Sequence, residues 1–250
     1  MRRRRHSILL LWTSKSQRRM KRPYIVCHMV ASIDGRIDCS MVDKISGDEY
    51  YETLDKLDCP TSLEGRVTME HYNAAKEPFI ATDPTPFGMA SVYKAVDSDE
   101  YMVAVDTHGR LRWPASEIDG VPLICIVSEQ VPQEYIDMLR NQGISYICIG
   151  SKAIDLPKAM EILHSEFGVV RMAVLGGGHI NGGFLAAGLI DEVSLLLAPG
   201  IDGRKGQTAL FDGIADMNRM PVRLSLESVE HVGDDTLWIR YKTNYQELKN

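Results

Sequence analysis

The run Val170-Arg171-Met172-Ala173-Val174-Leu175-Gly176-Gly177-Gly178-His179-Ile180-Asn181-Gly182-Gly183-Phe184 constrains this chain more than any other. It reads as a buried strand that enters a turn of three glycines and then opens a helix. Without side chains, such a turn lets backbone N–H groups come close to a phosphate, and the helix N-terminus favours negative charge there. The spacing departs from both common nucleotide fingerprints. G-x-G-x-x-G would need glycine at Asn181, and a P-loop would need lysine at Phe184. The turn points to a bound nucleotide held outside the standard Rossmann and P-loop arrangements.

The chain on either side alternates between two periods. Tyr24 to Ala31 is an apolar, β-rich run that predicts a central first strand, followed by a loop with an Asp34-Gly35 turn signal. Ser46-Gly47-Asp48-Glu49 predicts a capping box opening a helix that runs to Leu57. A short strand then leads into Gly65-Arg66-Val67-Thr68-Met69-Glu70, the start of another helix, and residues 76–94 predict a loop or lid. Strands are expected at Tyr101 to Asp106, Val121 to Val127, Ile144 to Ile149, Val169 to Leu175 and Leu189 to Ala198. Helices are expected at Gln133 to Gln142, at Leu156 to Phe167 after Asp155, and from the glycine turn to Ala187, with Gly188 as a left-handed stop. Val222 to His231 and Thr236 to Tyr241 flank Gly233-Asp234-Asp235 as a hairpin. Strands alternating with helices imply an α/β fold: a mostly parallel central sheet, helices on both faces and an antiparallel C-terminal edge.

Length and charge narrow the class. The 250 residues suffice for one large domain, and no apolar run approaches the ~20 residues that a membrane span needs. The first 22 residues carry nine Lys or Arg and no acid, so the remainder, with 19 basic and 34 acidic residues, has a formal charge near −15. An acidic body argues against nucleic-acid binding by the folded part. Residues 1–22 are expected to be a basic, disordered tail, their apolar segment Ile8 to Trp12 being too short for a signal peptide. Residues 23–244 are expected to form a single domain. Five cysteines without a C-x-x-C pair fit a reduced, cytoplasmic protein and offer no metal site.

Four segments, in order, resemble the dihydrofolate-reductase-like superfamily and, within it, the pyrimidine reductase domain of riboflavin biosynthesis. They are Arg22-Pro23-Tyr24 with Ala31-Ser32-Ile33-Asp34-Gly35-Arg36-Ile37; Gly65-Arg66-Val67-Thr68; Asp106 with Gly109-Arg110-Leu111; and Gly176 through Asn181 to Gly188-Leu189-Ile190-Asp191-Glu192. The resemblance implies a three-layer fold with a sheet of eight or nine strands, NADPH as hydride donor and a homodimer. It implies reduction of 5-amino-6-(5-phosphoribosylamino)uracil or a related pyrimidine or pterin.

The same resemblance places the site. Gly176, Gly177, Gly178, His179, Ile180 and Asn181 would hold the coenzyme pyrophosphate, with Gly65, Arg66 and Thr68 on its other side. Arg66 would pair with a phosphate or else form a helix-end salt bridge. Ser128 would contact the adenosine 2′-phosphate or cap a helix. Ser32, Asp34 and Gly35 would lie beside the substrate, Asp34 binding it or relaying a proton, unless Asp34 serves only the turn. His179 would donate to a ligand or cap its helix. Asp191 and Glu192 read as surface acids at a strand start.

Two departures qualify the resemblance. Riboflavin reductases usually place glutamate directly before the glycine pair, where this chain has Leu175, and no counterpart of the zinc deaminase often fused to them is present. Two other readings stay open. A dihydrofolate-type reductase would need its carboxylate from Asp48 or Glu49. A non-catalytic nucleotide-binding protein on the same fold would bind coenzyme without consuming it.

Overall fold

A computed structural model describes residues 21–245. The expectations for the N-terminal tail fall almost wholly outside the described residues. At the boundary, the guanidinium of Arg22 grips the Asp191 carboxylate through two hydrogen bonds of 2.7 and 2.9 Å.

The chain begins with β1 (Tyr24–Ala31), α1 (Cys39–Val42), α2 (Glu49–Asp55), β2 (Thr61–Gly65) and α3 (Arg66–Tyr72). It continues through β3 (Ser91–Tyr93), β4 (Met102–Val105), β5 (Glu117–Ile118), β6 (Val121–Val127), α4 (Gln133–Asn141) and β7 (Ser145–Cys148). It closes with α5 (Leu156–Phe167), β8 (Arg171–Val174), α6 (Gly178–Ala186), β9 (Glu192–Leu197), β10 (Arg223–Val232) and β11 (Thr236–Asn244). The strands form one sheet in the order β10-β11-β9-β1-β8-β2-β4-β6-β7-β3, with β5 paired to β6. The centre is parallel from β9 to β7, and the β10–β11 hairpin joins β9 antiparallel. This is the expected three-layer α/β architecture, with one correction. The sheet has eleven strands rather than eight or nine, the short β3 and β5 being the pieces that periodicity missed. β3 lies at the end of the predicted loop 76–94 and makes the far edge antiparallel as well.

Alternation along the central strands explains the layers. Ile25, Cys27 and Met29 of β1, with Ile124 and Ile126 of β6, face α5 and α6 in the largest core cluster. Val26 faces the opposite side, where Tyr50 and Leu54 of α2 pack, and Cys125 and Val127 meet Met69 of α3 and Tyr135 and Leu139 of α4. α5 begins as its sequence requires, with Asp155 accepting from the Lys158 amide at 3.0 Å and Gly168 ending it at φ +72°. The Ser46 capping box does not form. The Ser46 hydroxyl donates to the Val42 carbonyl of the preceding turn, and Asp48 takes the cap position with a helical φ of −69°. Glu192 is likewise not a surface acid. It is 2% exposed, accepts from Arg240 Nε at 2.7 Å, and takes the Tyr24 hydroxyl at 3.1 Å.

Candidate active site at the carboxyl edge of the parallel strands

All the parallel strands end on one edge, and the residues singled out by sequence follow those ends. Ser32 to Gly35 follow β1, Gly176 follows β8, Gly65 closes β2, and Ser128 follows β6. In open α/β sheets this edge is where ligands bind. A cavity of about 660 Å³ opens there, in the size range of small-molecule sites. Its walls are Ile37 to Ser40 around the start of α1, Gly65 to Thr68 and His71 of α3, Gly177 to Ile180 of α6, and Thr208.

Two helix N-termini face this cavity and neither is closed by the chain itself. α6 is capped by Gly177 and α3 by Gly65, with no capping side chain and no acid in the first turn of either. The first amides of a helix have no partner within it, so these remain available to an outside acceptor. α2, by contrast, carries Glu49 and Glu52 in its first turn. The two turns are joined directly by a 2.7 Å hydrogen bond from the Gly65 amide to the Gly176 carbonyl.

The glycines do different jobs. Gly176, joined to Gly177 by a cis peptide bond, has φ +104°, a conformation that side-chain-bearing residues rarely adopt. A Cβ on Gly178 would come within 2.2 Å of the Ala209 carbonyl, and one on Gly182 within 1.9 Å of the Asp212 carbonyl. Those two let the backbone of residues 208–212 run against α6. Of the three glycines in the turn, Gly177 alone faces open space, its nearest neighbour being Ile37 Cδ1 at 4.0 Å. The room for a ligand lies over this residue.

Of the sequence-predicted residues, Gly65, Arg66, Thr68, Gly177, Gly178, His179 and Ile180 line the cavity. Arg66 pairs at 2.5 Å with Glu70, one turn along α3, so its helix-end salt bridge is present at the cavity wall. Asn181 is fully buried behind the turn; its amide donates to the Leu210 carbonyl at 2.8 Å, while its Oδ1 is buried without a partner. Ser128 is buried too, and its hydroxyl donates to the Thr107 carbonyl at 2.7 Å. Asp106 is a structural clamp, one carboxylate oxygen accepting from the amides of Arg110 and Leu111 and from the Tyr135 hydroxyl.

Asp34 lies outside the cavity lining. Its carboxylate accepts from the Ser32 hydroxyl at 2.7 Å and from the amides of Asp202 and Gly203 at 3.0 Å each. These donors, the Ser32 hydroxyl first, hold its pKa well below the usual carboxylate range. A carboxylate so fixed is poorly suited to relay a proton at neutral pH; it ties the loop after β1 to the segment after β9.

Sequence reasoning passed over Asp38, Cys39, Ser40, Val67, His71 and Thr208. His71 was within reach, because it lies three residues beyond Thr68 on the same helix. Thr208 carried no local signal. It is brought in by a bridge between Arg36 and Ala209 in a segment without periodicity. Among the described residues no cluster fit to hold a metal ion occurs, and no helix is long and apolar enough to cross a membrane.

Comparison with known proteins agrees with this fold. The chain is 28% identical over 222 residues to 2,5-diamino-6-ribosylamino-4(3H)-pyrimidinone 5′-phosphate reductase of Methanothermobacter thermautotrophicus, covering 86% of this chain and 96% of that one. The protein of that name from Aquifex aeolicus is 22% identical, over 78% of this chain and 84% of its own length. Among solved structures, a pyrimidine reductase-like protein from Corynebacterium diphtheriae superposes with a TM-score of 0.68 at 16% identity, covering 90% of this chain and 93% of its own. The riboflavin biosynthesis reductase Rib7 of Saccharomyces cerevisiae gives 0.56 at 16% identity, covering 90% and 91%. The model of the RibD C-terminal domain matches residues 23–238, and the chain belongs to that family.

Proposed function

We propose that this chain is an NADPH-dependent reductase of riboflavin biosynthesis. Its substrate is a ribosylamino-pyrimidine phosphate: 5-amino-6-(5-phosphoribosylamino)uracil or the 2,5-diamino pyrimidinone that its relatives are named for. The observation that carries this reading is the open space over Gly177, between two uncapped helix N-termini, in a chain of this family. The amides of Gly178, His179 and Ile180 are suited to a diphosphate, and Arg66 supplies a cation once it exchanges Glu70 for a phosphate. NADPH, when bound, supplies a hydride to a C=N carbon. The protein aligns the two partners and keeps water out. Ser128, at the end of β6 on the same edge, is buried with its hydroxyl on the Thr107 carbonyl and supports that edge rather than a coenzyme contact. The loop Ser32 to Gly35 shapes the substrate side, with Asp34 as its anchor. Free cysteines and this biosynthetic role support a cytoplasmic location.

The exposed apolar side chains of the terminal hairpin, Leu224, Leu226 and Val229, support a homodimer formed across that edge. A dihydrofolate-type substrate is less well served. Glu49 is engaged with the Thr236 hydroxyl at 3.1 Å and does not line the cavity. The deciding experiment follows NADPH oxidation with each pyrimidine and with dihydrofolate. Oxidation with a pyrimidine alone supports the assignment. Oxidation with dihydrofolate alone replaces the substrate, and coenzyme binding without oxidation makes the chain a non-catalytic binder.

A further inference from the structure

Glu64 is the penultimate residue of β2, directly before the cavity-lining Gly65. The Leu175 amide donates to the Leu63 carbonyl at 2.8 Å, which sets Leu175 opposite Glu64 across the β2–β8 pair. Alternation turns Glu64 to the sheet face that carries α2 and α3. α2 packs over β1 and α3 over β2 and β4, so Glu64 and Leu175 lie between the two helices. The same helix, α3, walls the cavity with Thr68 and His71, and Glu64 stands behind that wall, one residue before Gly65 and outside the lining itself.

The carboxyl is unlike the other acids near this edge. Asp34 has three hydrogen-bond donors and Asp38 has Ser40 and Arg204. Glu64 has none among the described residues, and its Oε2 is buried without a partner. A buried acid oxygen left unpaired is costly in a purely structural position, so such a group calls for an explanation.

We propose that Glu64 is the acid that protonates the substrate nitrogen during reduction. The inference rests on the reductase reading above. In the reduction of a C=N bond, the carbon gains a C–H bond with two electrons from NADPH. The π pair moves to nitrogen, and nitrogen takes a proton from a bridging water, which the Glu64 carboxyl reprotonates from behind the cavity wall. Glu64 is left as carboxylate, the coenzyme is left oxidised, and solvent restores the proton.

Burial alone pushes the Glu64 pKa up to about 7, so the group holds a proton at the pH where the donation is needed. The titratable groups on the surrounding elements are Cys39 of α1, Glu49, Tyr50, Tyr51, Glu52 and Asp55 of α2, Arg66, Glu70, His71 and Tyr72 of α3, Arg171 of β8, and Cys27 and His28 of β1, with Tyr50 near enough to Glu64 to feel its charge. Tyr50, Tyr72 and Cys27 are driven upward by burial, and His28 downward to about 4. Asp34 is already ionised.

The test joins Glu64→Gln, Glu64→Asp and Glu64→Leu with a carboxyl titration of the wild-type protein by carbon-13 NMR. The expected result is a Glu64 carboxyl that titrates near neutrality, and a kcat in Glu64→Gln lowered ~100-fold or more with coenzyme affinity unchanged. The alkaline limb of the kcat profile should disappear in that variant, and Glu64→Asp should recover part of the rate. A carboxyl titrating in the ordinary acid range overturns the proposal without touching the reductase reading. So does an unchanged kcat in folded Glu64→Gln or Glu64→Leu, or an alkaline limb that follows His71→Gln instead. A wild-type protein inactive on every pyrimidine overturns the reading and this step with it.

Discussion

Gly177 and Gly178 are adjacent, yet the structure assigns them opposite sensitivities, and a pair of substitutions separates them. In Gly178→Ala the new methyl would sit 2.2 Å from the Ala209 carbonyl and 2.6 Å from Thr208 Cγ2. Backbone must move, because the first obstacle is not the end of a flexible side chain. Residues 208–212 are held by four hydrogen bonds: Asp212 N to Gly178 O at 3.0 Å, Asn181 Nδ2 to Leu210 O at 2.8 Å, Leu210 N to Gly35 O at 3.0 Å, and Ile37 N to Thr208 O at 3.3 Å. At roughly 1 kcal/mol each, losing them costs about 4 kcal/mol. For a domain of this size that lowers the melting temperature by about 8–16 °C. Gly177→Val meets nothing nearer than 4.0 Å on its first carbon, at a φ of −80° that valine accepts. It should cost much less stability and weaken NADPH binding by at least about tenfold, which corresponds to ~1.4 kcal/mol. Differential scanning calorimetry with coenzyme titrations on both variants reads each effect separately. A Gly178→Ala protein that melts with the wild type, or a Gly177→Val protein that binds NADPH undiminished, would refute the division of labour.

Other outcomes follow from the same contacts. His28, whose Nε2 donates to the Tyr50 carbonyl and whose pKa burial lowers to about 4, stays neutral in the fold while the unfolded chain takes up a proton below its ordinary value. Stability is then fully present above pH ~6.5 and falls as pH drops toward about 4, by up to ~3 kcal/mol. Urea melts of His28→Gln should lose about one proton's worth of that slope; an unchanged slope contradicts it. Arg240→Ala leaves Glu192, 2% exposed, without its main cation and should cost about 3 kcal/mol in the same melts. A cost below about 1 kcal/mol, the size of a surface pair, would show that Tyr24 and Arg171 suffice. The proposed homodimer predicts that Leu226→Asp on the outer strand β10 shifts sedimentation toward monomer, and sedimentation identical to the wild type contradicts an interface on that strand.

Much of the fold was legible because its strands are buried on both faces and its helices carry strong ends. β1, β6 and α5 have the predicted limits, and α5 shows why: Asp155, Pro157 and Gly168 mark both of its boundaries chemically. Legibility failed where pairing is decided by distant partners. β3 has three residues and exists because Ser91 to Tyr93 find Tyr146 to Cys148 across the edge. Glu192 looked exposed beside Asp191 because nothing local announces Arg240, 48 positions later. At the site, the glycine turn and the α3 start carried their own signals. The distinction among Gly176, Gly177 and Gly178 did not, since it depends on residues 208–212 crossing α6. Glu64 was overlooked for a related reason: a single acid in a short strand carries no pattern until burial removes its partners.

Titration of the wild-type protein with NADPH, followed by tryptophan fluorescence and by melting temperature, addresses the central claim most directly. Saturable quenching is expected, with a stabilisation that grows with coenzyme concentration and reaches about 2.7 kcal/mol at a hundredfold excess over Kd. Fluorescence and melting temperature that stay unchanged up to millimolar coenzyme would contradict the account.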